Sequence, residues 1–451
     1  MEKNIYEHSS LTKLIFIFGI PSILSLLMEM LTGIVDTAFA GNLPGVGDGA
    51  LSAMALLSPL LGIFTALQTL FAMSTGILIA KYLHDRTRQN RSYLVGVVMS
   101  GVVSLATSLL CYLLLPRILS ALGASGAVFG LAKSYLQVQL LSNVISSLGY
   151  TLTCSIRAFG FPKAELVLIC GAVGVNVVCN FTFAFLLDWG IAGLAWGTFV
   201  SESVCAIGSL LFLAKKKLLP QACPLSPKAF LADAGALFQI GIAQTAIQVL
   251  GGCTGFVLNA RLLTLGSLAH VAAWSVVQRI YTFLLMPIVG LTQGVQTIIA
   301  YFSGVEALDK IRTVSRRTML FCGGYGFLTL GAVLLFGQNL AGLFGGSAQI
   351  LAIAQVVLGI VFLGFPLIGI LYTDMTLLQV TGHEVASVLL ILSRQVFFLL
   401  PLVYVVPALA GLGQWALSPL LSLFFCMPLA DLLAVVFASA VKGRIAAKTA
   451  A

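Results

Sequence analysis

Apolar stretches of membrane-crossing length follow one another along the whole chain, broken by short polar connections. A helix needs about 20 residues to cross about 30 Å of hydrocarbon. The apolar stretches divide into twelve such spans: residues 14–40, 51–80, 93–115, 128–156, 164–187 and 194–214, then 236–260, 268–300, 318–337, 349–379, 386–406 and 416–440. The pattern predicts an all-α integral membrane protein with no soluble domain of useful size.

The pattern is also written twice. A helix ending in Phe39-Ala40-Gly41 is followed by a short loop and a helix that passes Gly76 and leaves the membrane at Lys81. Its counterpart ends in Val257-Leu258-Asn259 and is followed by a helix through Gly294 that leaves at Tyr301. Ala158-Phe159-Gly160 pairs with Val380-Thr381-Gly382, and Gly193 with Gly413, at a common offset of about 220. A parallel repeat of this kind is a signature of secondary transporters. Residues 1–214 and 236–451 are expected to be two six-helix lobes joined by a cytoplasmic linker, 215–235. Within that linker Pro220, Pro224 and Pro227 argue against a helix. An even number of spans per lobe gives both lobes one orientation, with a pseudo-two-fold axis along the membrane normal and a cleft between them.

Composition agrees: 59% of the residues are hydrophobic and 9% charged, against roughly 25% charged in soluble domains. The net charge of +9 belongs to the membrane and not to nucleic acid, because Lys and Arg gather in alternate connections. These are Lys81 to Arg91, Arg157 to Lys163, Lys215 to Lys228, Lys310 to Arg317 and Lys442 to Lys448, with Arg117, Lys133 and Arg261 as exceptions. The positive-inside rule puts those connections and both termini in the cytoplasm. The first apolar run lacks the short h-region and cleavage site of a signal peptide and reads as the first span. The nine cysteines are scattered without paired spacing, so neither a disulfide framework nor a metal site is indicated. A phosphate loop and an HExxH motif are absent, and no Ser, His and Asp grouping suggests an enzyme.

Ionisable groups inside spans are costly and each requires an account. Glu29 and Asp36 in the first span are seven apart, on one helical face and about 10 Å apart along the axis. A pair of carboxylates facing a cavity can hold a cation or a proton, whereas hydration near the outer interface would explain Asp36 without function. Asn176 and Asn180 share a face of the fifth span and Thr198 adds a hydroxyl from the sixth. Together with Asp36 they could supply the oxygen ligands of a hard monovalent cation such as Na⁺. Gln244 and Gln248 share a face of the seventh span, and Gln278, Gln293 and Gln296 punctuate the eighth. They suit a cavity lining or, equally, interhelical hydrogen bonds. Glu202, Arg279, Asp374, Arg394 and Asp431 are further ionisable candidates. Arg394 either snorkels to the interface or neutralises Asp431.

The residues resemble those of the multidrug and toxic compound extrusion (MATE) transporters over essentially the whole chain. The resemblance rests on Pro21, Val35-Asp36-Thr37-Ala38-Phe39-Ala40-Gly41, Arg157-Ala158-Phe159-Gly160, and Asn176 with Gly190 to Gly193. In the second half it rests on Pro287, Gly290, Gln293-Gly294, Gln296, Arg394-Gln395 with Pro401, and Pro428-Leu429-Ala430-Asp431. It implies alternating access in a bacterial plasma membrane, a functional monomer without cofactor, and export of cationic amphipathic compounds in exchange for H⁺ or Na⁺. The implied cation site falls on Asp36, Asn176, Asn180 and Thr198, with Glu29, Gln244, Gln248, Gln278 and Asp374 toward the substrate. Where many members carry a second acid this chain has Asn180, which makes protonation of Asp36 the simpler coupling reaction. A flippase for lipid-linked saccharides, of the same superfamily fold, is the alternative. Its pyrophosphate cargo calls for a cationic cavity, and the candidates here are mainly acids and glutamines.

Overall fold

Twelve long helices account for nearly all of residues 5–221, 226–343, 347–411 and 418–450, which the computed structural model describes. They are α1 (Leu11–Gly41), α2 (Gly47–Lys81), α3 (Arg86–Leu113), α4 (Gly126–Ala158), α5 (Pro162–Leu186), α6 (Gly190–Lys215), α7 (Pro227–Leu265), α8 (Leu268–Gly304), α9 (Leu308–Gly342), α10 (Ala348–Val380), α11 (Glu384–Gly411) and α12 (Pro419–Ala450). Each coincides with one expected span, several with additional turns at their ends.

Eleven of the twelve are long and apolar enough to cross a membrane on their own composition. The exception, α4, carries Lys133 and Arg157 with Asn143 and a run of hydroxyls. The reason is its position: α4 packs against α2, α3 and α6 in the middle of the first unit, so its partners are protein and not lipid. Ser100 of α3 bonds Ser147 at 2.8 Å and accepts from Thr151 at 2.9 Å. Asn143 donates to Ser108 at 2.9 Å and accepts from Gln68 at 3.0 Å. Such interhelical hydrogen bonds contribute about 0.6 kcal/mol each in a membrane. The outer surfaces remain apolar, as at Leu113, Val167 and Leu335, each more than two-thirds exposed.

The chain divides into two compact units: residues 1–245 with 300–307, and residues 246–299 with 308–451. In the first, α5 lies between α1 and α6; in the second, α9 packs on α10, and α11 and α12 pack on each other. The repeat appears in the backbone. Helices α4 and α10 both end two residues before a glycine in left-handed conformation, Gly160 at φ +94° and Gly382 at φ +86°. Glycine takes this helix-terminating geometry at the least steric cost. The proposed partner of Gly193, Gly413, lies outside the described residues, as does Pro224.

One expectation fails at the central connector. Pro227 does not exclude a helix; it begins α7, because the first helical position makes no use of the N–H that proline lacks. The connector and the start of α7 are tied to α3. Asn90 exchanges two hydrogen bonds with the backbone of Gln221, and Arg91 pairs with Asp233. A short helix, Leu115–Ala121, also stands between α3 and α4.

Candidate functional site

Asp36 sits near the C-terminal end of α1, half-buried against α5. Its Oδ1 accepts a hydrogen bond from Asn180 Nδ2 at 2.5 Å. That amide also donates to Asn176 Oδ1 at 3.0 Å, one turn earlier on α5. Asn176 Nδ2 continues to Thr198 Oγ1 at 3.5 Å and Ser201 Oγ at 3.4 Å on α6. The four residues named from the sequence therefore meet in one network across α1, α5 and α6, inside the first unit. Asn176 and Asn180 are 1% and 0% exposed, so the network is dry on the side of α6. Buried polar groups are almost always paired, yet Asn180 Oδ1 is buried without a partner.

The backbone brings the amide to this place by two local devices. The α5 helix widens into a π-turn at Thr182–Leu186, directly after Asn180; insertions of this kind are frequent at functional sites. On α6, Gly193 and Gly197 are four residues apart and form a groove for that turn. A Cβ on Gly197 would overlap Asn180 Oδ1 and lie 2.8 Å from its backbone N, and one on Gly193 would lie 2.7 Å from the Phe183 carbonyl carbon. The rings of Phe39, Phe181 and Phe185 pack together beside Asp36, with centroids 5.7 to 6.5 Å apart. Sequence reasoning missed Gly197 and Ser201. The spacing Gly193-x-x-x-Gly197 is a close-packing signal, but nothing along the chain says which side chain fills the groove.

That geometry gives an expected result. Gly197→Ala pushes Asn180 off Asp36, lowers efflux by about tenfold or more and lowers the melting temperature, since overpacking of this kind costs about 1–3 kcal/mol. Transport assays beside a melting curve check it; full efflux in Gly197→Ala contradicts the placement of Asn180.

The remaining candidates are dispersed. Glu29 is exposed on α1. Arg157 is buried, 3.3 Å from Glu165. Gln244 is half-buried in the first unit, whereas Gln248 and Gln278 are exposed in the second, so the helical face they suggested crosses the unit boundary. Asp374 is not a cavity-lining group of the second unit. It is fully buried, and its carboxylate is held by Lys442 of α12 at 2.6 and 2.7 Å. Gln296 donates to Gln379 at 2.8 Å, an interhelical bond. Arg394 does not snorkel: its Nε donates to Asp431 at 2.6 Å and its NH2 to Tyr281 at 3.2 Å. Arg394 also lies in a π-turn, Ser393–Leu399. Among the described residues no cluster of three His, Cys, Asp or Glu side chains is placed to hold a metal. At Asp36 a single carboxylate faces the Asn180 amide N–H, and Asn176 links that amide to the Thr198 and Ser201 hydroxyls.

The MatE family model matches the chain twice, over residues 21–182 and 245–405, one match in each half. The multidrug export protein MepA of Staphylococcus aureus is 26% identical over 427 residues, covering 93% of each chain. Among solved structures, a mutant of the Vibrio cholerae MATE transporter VcmN superposes with a TM-score of 0.88 at 21% identity, covering 96% of this chain and 97% of that one. The outward-facing form of a multidrug resistance MATE family transporter of the MOP superfamily superposes at 0.90 and 18% identity, covering 100% and 99%. These likenesses support the twelve-helix fold with two repeated lobes.

Proposed function

Because the chain belongs to the MATE family of transporters, whose pattern occupies both of its halves, we propose that it exports small cationic amphipathic compounds in exchange for protons, with Asp36 as the coupling group. The observation that carries the reading is the Asp36–Asn180 pair beside a buried, unpartnered Asn180 Oδ1. An ionised carboxylate only accepts hydrogen bonds, whereas a protonated one also donates. Asn180 can serve both forms. Its Nδ2 faces the charged Asp36, and the same amide turned over presents Oδ1 to the O–H of the neutral acid. A second carboxylate here would suit Na⁺ better than an amide does.

Alternating access follows from that exchange. A proton taken from the outside neutralises Asp36, releases a cationic substrate and allows return to the inward-open form; loss of the proton to the cytoplasm recharges the site. Exchange of one proton for one monovalent cation moves no net charge, so the pH gradient is the driving force: each pH unit supplies about 1.36 kcal/mol and sustains a substrate gradient of about tenfold. The chain works as a monomer in the bacterial plasma membrane with both termini in the cytoplasm. The aligned MepA proteins carry multidrug-export names, which favours this reading over a saccharide flippase.

Ethidium efflux from proteoliposomes, with the pH and Na⁺ gradients imposed separately, tests the coupling. Efflux follows the pH gradient and ignores Na⁺, and Asn180→Asp adds a Na⁺ dependence by restoring a second carboxylate. Wild-type efflux that requires Na⁺ and is indifferent to pH refutes proton coupling.

A further inference from the structure

The amino-terminal turn Ile5–His8 is tied to three helices at their cytoplasmic ends, and one of them is α8, whose body belongs to the other unit. Helix α8 leaves the second unit at Ile299, and its last residues, 300–307, lie in the first. Tyr6 is 1% exposed. Its hydroxyl donates to the carbonyl of Ala158 at 2.9 Å, one of the terminal carbonyls that α4 cannot satisfy internally. Its ring is held between Phe18 of α1 at 5.3 Å and Tyr301 of α8 at 4.4 Å, the latter almost parallel at 14°. The Tyr301 hydroxyl donates back to Glu7 Oε1 at 2.8 Å. Two glycines make room. A Cβ on Gly160 would touch Ile5 at 3.0 Å, and one on Gly304 would overlap the carbonyl oxygen of Lys81 at the end of α2. Burial pushes the Tyr6 phenol up, so it stays a hydrogen-bond donor at any physiological pH.

A helix that begins in one unit and ends in the other is strained by any relative movement of the two. Here its final turn stacks Tyr301 on Tyr6 of the amino-terminal turn and bonds Glu7, while Tyr6 ties the same turn to α4. Contacts of this kind bias an equilibrium between docked and released forms. We propose that the amino-terminal turn is a cytoplasmic latch: docked, it clasps the end of α8 to α1 and α4, and it lets go when the transporter opens to the cytoplasm. The proposal rests on the alternating-access reading above. A turn that served only to complete the fold would stay docked throughout the cycle.

The first test makes the latch covalent. Tyr6→Cys and Tyr301→Cys are combined in a chain whose native cysteines are replaced by alanine and are joined by a short reducible bis-methanethiosulfonate crosslinker. Efflux falls by about tenfold or more on crosslinking and returns on reduction, as expected when a required conformational step is blocked. Efflux of the crosslinked protein at the rate of the same protein before crosslinking overturns the latch. The second test needs no substitution. Hydrogen exchange of the amides of residues 5–10 in reconstituted wild type rises by about fivefold or more when an imposed proton gradient and ethidium drive turnover, because local opening exposes them. Equal exchange at rest and during turnover overturns the latch while leaving the exporter reading intact. Failure of the wild type to transport overturns that reading, and the latch with it.

Discussion

Replacing Asp36 by asparagine removes coupled efflux and leaves the protein folded. The side chain keeps its size, and an amide at this position can still bond the Asn180 amide, so the α1–α5 contact survives. What disappears is the one group of the network that changes charge. Without it the proton gradient has nothing to act on in the first unit, and the sustained ethidium gradient falls by about tenfold for each pH unit imposed, the share that about 1.36 kcal/mol per unit supplies. Efflux from cells expressing equal amounts of wild type and variant measures this directly. Asp36→Asn with full efflux removes Asp36 from the mechanism. Thr198→Val is the informative companion, since Thr198 meets the network only through Asn176 at 3.5 Å and its loss has the smaller effect.

The second large effect concerns stability. Asp431 is 3% exposed and holds Arg394, whose side chain is 18% exposed, through a bond of 2.6 Å. Asp431→Ala leaves a guanidinium inside the second unit with only the Tyr281 hydroxyl for company. Breaking one side of a buried ion pair costs about 3–5 kcal/mol, so the melting temperature in detergent drops sharply and expression falls. The double variant Arg394→Met with Asp431→Leu recovers most of the loss, because an apolar pair avoids the desolvation penalty of both charges. Gly364 sets a limit on repacking: a Cβ there would lie 2.5 Å from Asp431 Oδ2. A melting curve for Asp431→Ala that matches wild type contradicts the structural role of the pair.

The Asp36 network and the buried ion pairs differ in how much of each is written along the chain. Asn176 and Asn180 are four apart, and helix geometry alone puts them on one face. Asp36 is conspicuous because a carboxylate in an apolar run is expensive. The partners of Asp374 and Arg394 are not visible in that way: Lys442 is 68 residues from Asp374 and Asp431 is 37 from Arg394. Several carboxylates and cations are candidates for each, and only the helix neighbours choose among them. Gly197 and Ser201 are silent for a similar reason. A glycine in a helix states that something approaches closely but not what. The connector erred differently, because proline forbids a helix interior and yet suits a helix start.

By itself the sequence determined the number of membrane helices, their repeat and the residues too costly to be idle. Those depend on transfer free energy and on helical period, which act locally and are read residue by residue. Tertiary structure alone decided which candidates became partners. It seated Asn180 in the groove at Gly197, spent Asp374 and Arg394 on buried ion pairs, and placed the end of α8 in the first unit beneath Tyr6. Each of these outcomes depends on distances between residues remote along the chain, and those distances exist only once the helices have packed.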